Sequence, residues 1–219
     1  SVAIGRQANA TGNSSLAFGR LANATGWGAM AMQEEANASA LGATAIGIAS
    51  KASANYSMAL GAGANASGSY SFAQGFMANA TGLESISIGN ASTASDTSSI
   101  ALGTQAKATR NDAIALGNLS TASDQSAIAI GNTSNAAGEG SVALGRFTNA
   151  TALSAFAMGD YAKASGITST AIGPHANASG LSSMSLGHGS CATGHISTAL
   201  GAVSRATGNY SIAQGAWSN

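Results

Sequence analysis

Charge is scarce in this chain. Asp, Glu, Lys and Arg together make up 7% of its 219 residues, with eight acids against eight bases. A formal net charge of zero argues for no basic stripe, and so neither for nucleic acid nor for an anionic lipid surface as partner. A single cysteine, Cys191, excludes a disulfide framework within one chain. Apolar residues reach 45%, much of it alanine, yet no run approaches the ~18 residues that cross a bilayer. No signal peptide or membrane anchor is in view. That leaves a cytosolic protein or a piece of a longer exported chain.

What the chain has instead is a pentapeptide, Ser-x-Ala-x-Gly. It appears first as Ser1-Val2-Ala3-Ile4-Gly5 and returns in phase as Ser15-Leu16-Ala17-Phe18-Gly19, Ser99-Ile100-Ala101-Leu102-Gly103 and Ser211-Ile212-Ala213-Gln214-Gly215. The step is 14 residues, and the frame runs without insertion or deletion through 16 registers, some degenerate, such as Ala29-Met30-Ala31-Met32-Gln33. A fixed short period is the signature of a solenoid, in which each unit contacts mainly its neighbours. The expectation is one continuous domain over residues 1–219, of about 16 fourteen-residue repeats. The high Ala, Ser, Asn, Thr and Gly content resembles a disordered tract, but a strict apolar phase argues against disorder.

With positions numbered from Ser1, large apolar side chains fall at positions 2 and 4, an alternation that reads as a strand. Position 3 is Ala except at Ser87 and Ser185, and position 5 is Gly except at Gln33. Such a glycine suits positive φ or close backbone approach. Position 10 is Ala in every complete copy, between a polar position 9 and a Thr or Ser at 11 (Ala137 excepted). Position 12 is most often Gly, which suits a turn. Each repeat is thus two short strands and two tight corners. The stacked strands form two parallel sheets, at roughly 4.8 Å per layer a rod of order 70 Å.

Alternation leaves the two faces of the first strand open. Either the small residues at 3 and 10 meet inside and the bulky ones face out, or the reverse holds. In the first case a long apolar stripe is bare on each chain. Burying each Ile or Leu is worth about 1.5–3 kcal/mol, so self-association around a common axis is the expected remedy. The candidate core of such an assembly is Val2, Ile4, Leu16, Phe18, Met58, Leu60, Gln74, Ile86, Ile88, Ile100, Leu102, Ile114, Leu116, Ile128, Ile130, Val142, Leu144, Phe156, Met158 and Gln214. Gln74 and Gln214 either pair amides across the axis and fix register or are tolerated polar residues.

The Ser-Val-Ala-Ile-Gly-x-x-Ala-x-Ala-Thr-Gly unit resembles the head domain of the YadA-like trimeric autotransporter adhesins, over the whole chain. The resemblance implies an all-β, left-handed parallel β-roll with 14 residues per turn, three chains wound into one head, and display on a stalk above a Gram-negative outer membrane. It implies adhesion to host matrix proteins of the collagen, laminin and fibronectin class, to cell-surface receptors or to sister bacteria, and no cofactor. The localisation it implies is extracellular, anchored through a C-terminal stalk and outer-membrane barrel, with no direct membrane insertion by this segment. No neck motif, heptad stalk or barrel follows Ser211 here, so the chain reads as an excised head. The family's collagen-associated Asn before Ser-Val-Ala-Ile-Gly is not intact: Gly140 precedes Ser141-Val142-Ala143-Leu144-Gly145.

Catalysis is not expected, because acid–base chemistry needs titratable groups that converge in a cleft. Glu34-Glu35 read as a solvated corner, and Asp96 and Asp124 as turn residues. His188, Cys191 and His195 suggest metal, but they occupy positions 6, 9 and 13, with the histidines at opposite corners, whereas zinc needs its ligands within about 2.3 Å of one point. Seven Asn-Ala-Ser/Thr triplets that begin at position 9, among them Asn9, Asn65 and Asn149, match the glycan-acceptor pattern, but the repeat generates them automatically and stacked Asn and Thr can form ladders.

Binding residues are expected at the corners. The candidate ligand patch is Arg146, Phe147, Asp160, Tyr161, Phe76, Met77 and Trp27, with Phe147 and Tyr161 stacked in adjacent layers. Such aromatics serve either a ligand or the adjoining chain of an oligomer. Two other functions fit a repeat of this kind: an ice-binding solenoid, whose Asn-x-Thr row Lys51, Lys107, Lys163, Cys191 and Arg205 interrupt, and a segment of a trimeric phage or viral attachment fibre.

Overall fold

The computed structural model describes residues 1–219, and every regular element in it is a strand. A three-residue strand, β1 (Val2–Ile4), is followed by a two-residue strand, β2 (Asn9–Ala10), and the pair repeats as β3 (Leu16–Phe18) and β4 (Asn23–Ala24). The chain forms two compact units, Ser1–Asn111 and Asp112–Asn219. In the first, the odd-numbered strands as far as β15 (Ile100–Leu102) make one parallel sheet and the even-numbered strands as far as β16 (Lys107–Ala108) make a second. The second unit repeats the arrangement from β17 (Ile114–Leu116) and β18 (Thr121–Ala122) to β31 (Ile212–Gln214). Register is strict. Val2 lies beside Leu16, Ala3 beside Ala17 and Ile4 beside Phe18, each a full 14-residue lap apart. This is an all-β parallel solenoid, as the period predicts.

The interior belongs to the small residues. Ala17, Ala31 and Ala45 at position 3 and Ala24, Ala38 and Ala52 at position 10 are all 0% exposed. Positions 1 and 8, Ser or Ala in nearly every lap, complete the lining, and the largest fully buried side chain is Thr148. Two sheets can therefore approach closely, with only methyls and hydroxyls between them. Many interior hydroxyls find local acceptors: Ser15 Oγ donates to the Gly12 carbonyl at 2.7 Å and Ser85 Oγ to that of Gly82 at 2.8 Å, whereas those of Ser71, Ser169, Ser183 and Ser197 have no partner. Where serine replaces alanine at position 3, the facing position 8 is serine too. Ser87 Oγ lies 2.7 Å from Ser92 Oγ, and Ser185 Oγ 2.6 Å from Ser190 Oγ. A lone buried hydroxyl would cost about 1–3 kcal/mol.

The bulky residues at positions 2 and 4 consequently face outward, which decides between the two assignments alternation left open. Phe18 is 49% exposed, Leu102 38% and Ile130 39%, while Leu16, Ile86, Ile88 and Leu144 are half-buried against the ribs of adjacent laps. Gln74 and Gln214 lie on this same outward face and are exposed.

The corners hold a regularity that the sequence conceals. Position 5 glycine has the expected positive φ, 138° at Gly19, and a Cβ there would sit 2.5 Å from the Gln33 carbonyl oxygen of the next lap. Beyond this, positions 7 and 14 are left-handed whatever residue occupies them: Leu21 (58°), Tyr70 (59°), Phe147 (54°), Ile196 (52°), Val203 (57°). The reason is the ladder. With positive φ the Leu21 N–H points at the lap before and donates to the Arg6 carbonyl at 3.0 Å, and Tyr161 N–H does the same to Arg146 at 3.0 Å. Rungs thus continue around the corners, so little backbone is left unpaired.

Candidate functional site

Two side chains per corner, at positions 6–7 and 13–14, project away from the interior, and here the laps differ most. In the second unit the first corner builds a continuous column. The Phe147 and Tyr161 rings stack at 4.9 Å with planes 17° apart, as the shared position predicts. The column continues into a residue that sequence reasoning passed over: His175, also at position 7, lies parallel to Tyr161 at 5.2 Å and 3°. His188 closes it edge-on to His175 at 6.0 Å.

Alongside runs a polar column at position 6. Arg146 grips Asp160 through two parallel hydrogen bonds, Nε to Oδ1 at 3.0 Å and Nη2 to Oδ2 at 2.6 Å. The hydrogen bond and the charge of Asp160 raise the Arg146 pKa above its ordinary value. The same guanidinium carbon lies 5.4 Å from the Phe147 ring centre and 5.6 Å from that of Tyr161. Asn132 Nδ2 donates to Asn118 Oδ1 at 3.1 Å in the laps before. The corner therefore presents flat π edges beside a bidentate, partly exposed fork of opposite charges. Arrangements of this type anchor protein partners, because aromatic and Arg side chains offer large contact area with few rotamers left to lose.

The other candidate patch residues do not join this column. Phe76 (56% exposed) and Met77 (58%) sit at the first corner of a lap in the first unit. Trp27 (61%) sits at the opposite corner of that unit, beside Gly28. On that second corner the structure adds Tyr56 stacked on Tyr70 at 5.4 Å, with the Tyr56 ring laid over Gly42, where a Cβ would meet Cδ1 at 2.8 Å. The Glu34-Glu35 corner is also more organised than a solvated pair. Arg20 of the previous lap forms an ion pair with Glu34 and lies 3.6 Å from Glu35.

His188 and His195 stand in different corners of one lap, His195 edge-on to Tyr210 at 5.6 Å, so they do not converge on a common point. Cys191 is a free thiol on a strand, half-buried, with Asn177 Nδ2 3.8 Å from its sulfur. The asparagines of position 9 form amide ladders: Asn9 to Asn23 at 3.0 Å, Asn65 to Asn79 at 2.8 Å, Asn135 to Asn149 at 2.8 Å.

Fold and corners together define a repetitive β-solenoid scaffold that displays variable side chains from an invariant interior. The chain belongs to the YadA head domain repeat family, whose model matches residues 1–22, 38–64, successive overlapping stretches from 66–92 to 164–190, and 192–216. Among solved structures it is similar to the collagen-binding domain of the Yersinia adhesin YadA, at 21% identity over 80% of this chain and 82% of that one, with a TM-score of 0.43. No curated protein matches it.

Proposed function

We propose that residues 1–219 form a single head domain of a bacterial surface adhesin, a binding module that works without enzymatic chemistry. The observation that carries this reading is the run of YadA head repeats along the chain, a family of adhesin heads. The head acts extracellularly on a Gram-negative cell, held through a stalk and outer-membrane barrel. Three chains assemble around the outward ribs at positions 2 and 4. An Ala- and Ser-lined interior supports the assembly reading, since the largest apolar side chains of each lap lie outside it. Unpartnered, exposed ribs such as Phe18, Leu102 and Ile130 leave an apolar stripe in water, the kind of surface that marks an interaction site.

The partners are matrix proteins of the collagen, laminin and fibronectin class or cell-surface receptors. The Arg146–Phe147–Asp160–Tyr161 corner, extended by His175, is the contact surface. An array of immobilised matrix proteins and whole cells, probed with the purified chain and with an Arg146→Ala/Tyr161→Ala variant, tests this. Binding that the variant loses by tenfold or more is the expected result. Sedimentation of the same sample as one chain would remove the trimer from the reading, and failure to bind any surface would remove adhesion.

A further inference from the structure

Formal neutrality hides a one-sided distribution of charge. The outward face of the two-residue strands is made by positions 9 and 11, and no acidic residue occupies either position in any lap. All eight acids fall in corners instead. Of the eight bases, four lie on this face at position 9: Lys51, Lys107, Lys163 and Arg205, all exposed. Two of the remaining four, Arg20 and Arg146, are engaged with carboxylates in the corners. On each unit, with Lys51 and Lys107 in the first and Lys163 and Arg205 in the second, this face is therefore positive with nothing on it to neutralise it. The lysines also recur regularly, once in every fourth lap. In the first unit, Lys51 and Lys107 are separated by four strand-to-strand steps of about 4.8 Å, roughly 19 Å in all.

Between the cations lies a flat field of hydrogen-bonding groups. Asn65 and Asn79 hold each other at 2.8 Å, and the Thr and Ser hydroxyls of position 11 run in a parallel row. We infer that this face binds a linear anionic polysaccharide laid across the strands. The amides and hydroxyls meet sugar hydroxyls, and the spaced cations meet its sulfate or carboxylate groups. Duplex DNA, with a charge every ~1.7 Å, fits cations this sparse poorly. Single strands need aromatic stacking platforms, and positions 9 and 11 hold no aromatic residue. Membrane surfaces call for clusters of about 4–8 basic residues; each unit offers two on this face. The inference does not depend on the corner site, whose residues lie elsewhere on the lap.

The test uses the full chain on immobilised heparin (sulfated), hyaluronate (carboxylated) and dextran (uncharged), at two salt concentrations. Threonine already occupies position 9 at Thr93 and Thr121, so a Lys51→Thr/Lys107→Thr/Lys163→Thr/Arg205→Thr variant retains strand chemistry, and thermal unfolding checks that it folds. A second variant, with the three lysines changed to arginine, keeps the charge. Retention on heparin or hyaluronate, but not dextran, that weakens as salt rises, falls at least tenfold in the threonine variant and survives in the arginine variant is the expected result. Retention on either anionic chain alone supports the inference and names the anion. Absence of retention on both, equal retention on dextran, binding within twofold in a folded threonine variant, or duplex DNA competing as well as heparin would overturn it. So would loss of binding in the arginine variant.

Discussion

Tyr161 lies flat over His175, ring centres 5.2 Å apart and planes within 3°, although 14 residues separate them in the chain. The parallel ladder is what brings them together, because equal position in successive laps means direct neighbourhood. Stacked pairs of this kind contribute about 0.5–1.5 kcal/mol beyond their buried area. Tyr161→Ala, which also strips Phe147 of its partner, is expected to lower unfolding free energy by roughly 1–2 kcal/mol in denaturant titrations. Tyr161→Phe is expected to leave stability within about 0.5 kcal/mol. If matrix binding falls with Tyr161→Ala but not with Tyr161→Phe, the ring rather than the hydroxyl makes the contact.

The outward ribs predict a different response. Ile86→Asn/Ile88→Asn alters only the outer face of one strand, where both residues are half-buried. If three chains assemble through these ribs as proposed, the change removes roughly 1.5–3 kcal/mol per chain of the apolar burial gained on assembly, because both residues are already half-buried in one chain. Analytical ultracentrifugation is expected to show the proposed three-chain species giving way to single chains, with a melting temperature that no longer depends on protein concentration.

Interior substitutions are expected to be costly in the opposite sense of size. Ala101 is 0% exposed, and the interior holds nothing larger than threonine. Ala101→Leu must push the two sheets apart. A loss of at least about 1–3 kcal/mol, or failure to fold, is expected. Ile100→Leu, on the outward side of the same strand, is expected to stay below about 1.5 kcal/mol. Paired thermal melts of the two variants make the comparison.

Corner backbone gives a test that involves no contact at all. Val203 has φ 57° and Ile196 φ 52°, conformations that a β-branched residue adopts at a cost of about 1–2 kcal/mol. Val203→Asn, which tolerates this region, is expected to raise stability by about 1 kcal/mol. Gly89→Ala should act the other way, because at φ 132° its Cβ would lie 2.4 Å from the Gly103 carbonyl oxygen. A loss of about 1–3 kcal/mol is expected. Gln33, the one non-glycine at this position, has φ 87° instead and shows the direction in which such a corner must shift.

The strands, their register and the two corners were legible because Ala3, Ala10 and Gly5 mark the frame lap after lap. The left-handed residues at positions 7 and 14 were not. That conformation usually selects Gly or Asn, but here Leu21, Phe147, Tyr161 and Val203 hold it because the inter-lap rung demands it. Local preference is overridden by the ladder, and no single-residue signal survives. The Phe147–Tyr161 stack follows directly from shared position, whereas His175 and Arg20 join their neighbours visibly only when every corner residue is placed on the lap. The placement of charge is hidden for a related reason. A net value averages over faces, and Lys51, Lys107 and Lys163 reveal their common side only when each is assigned its place on the lap.

Because the buried lining consists of methyls and hydroxyls that are nearly the same from lap to lap, what the molecule shows to the outside is chemically uncoupled from what keeps it folded. Arg146, Phe147 or Tyr161 can therefore be exchanged, or an entire lap duplicated, without reopening the problem of how the polypeptide closes on itself.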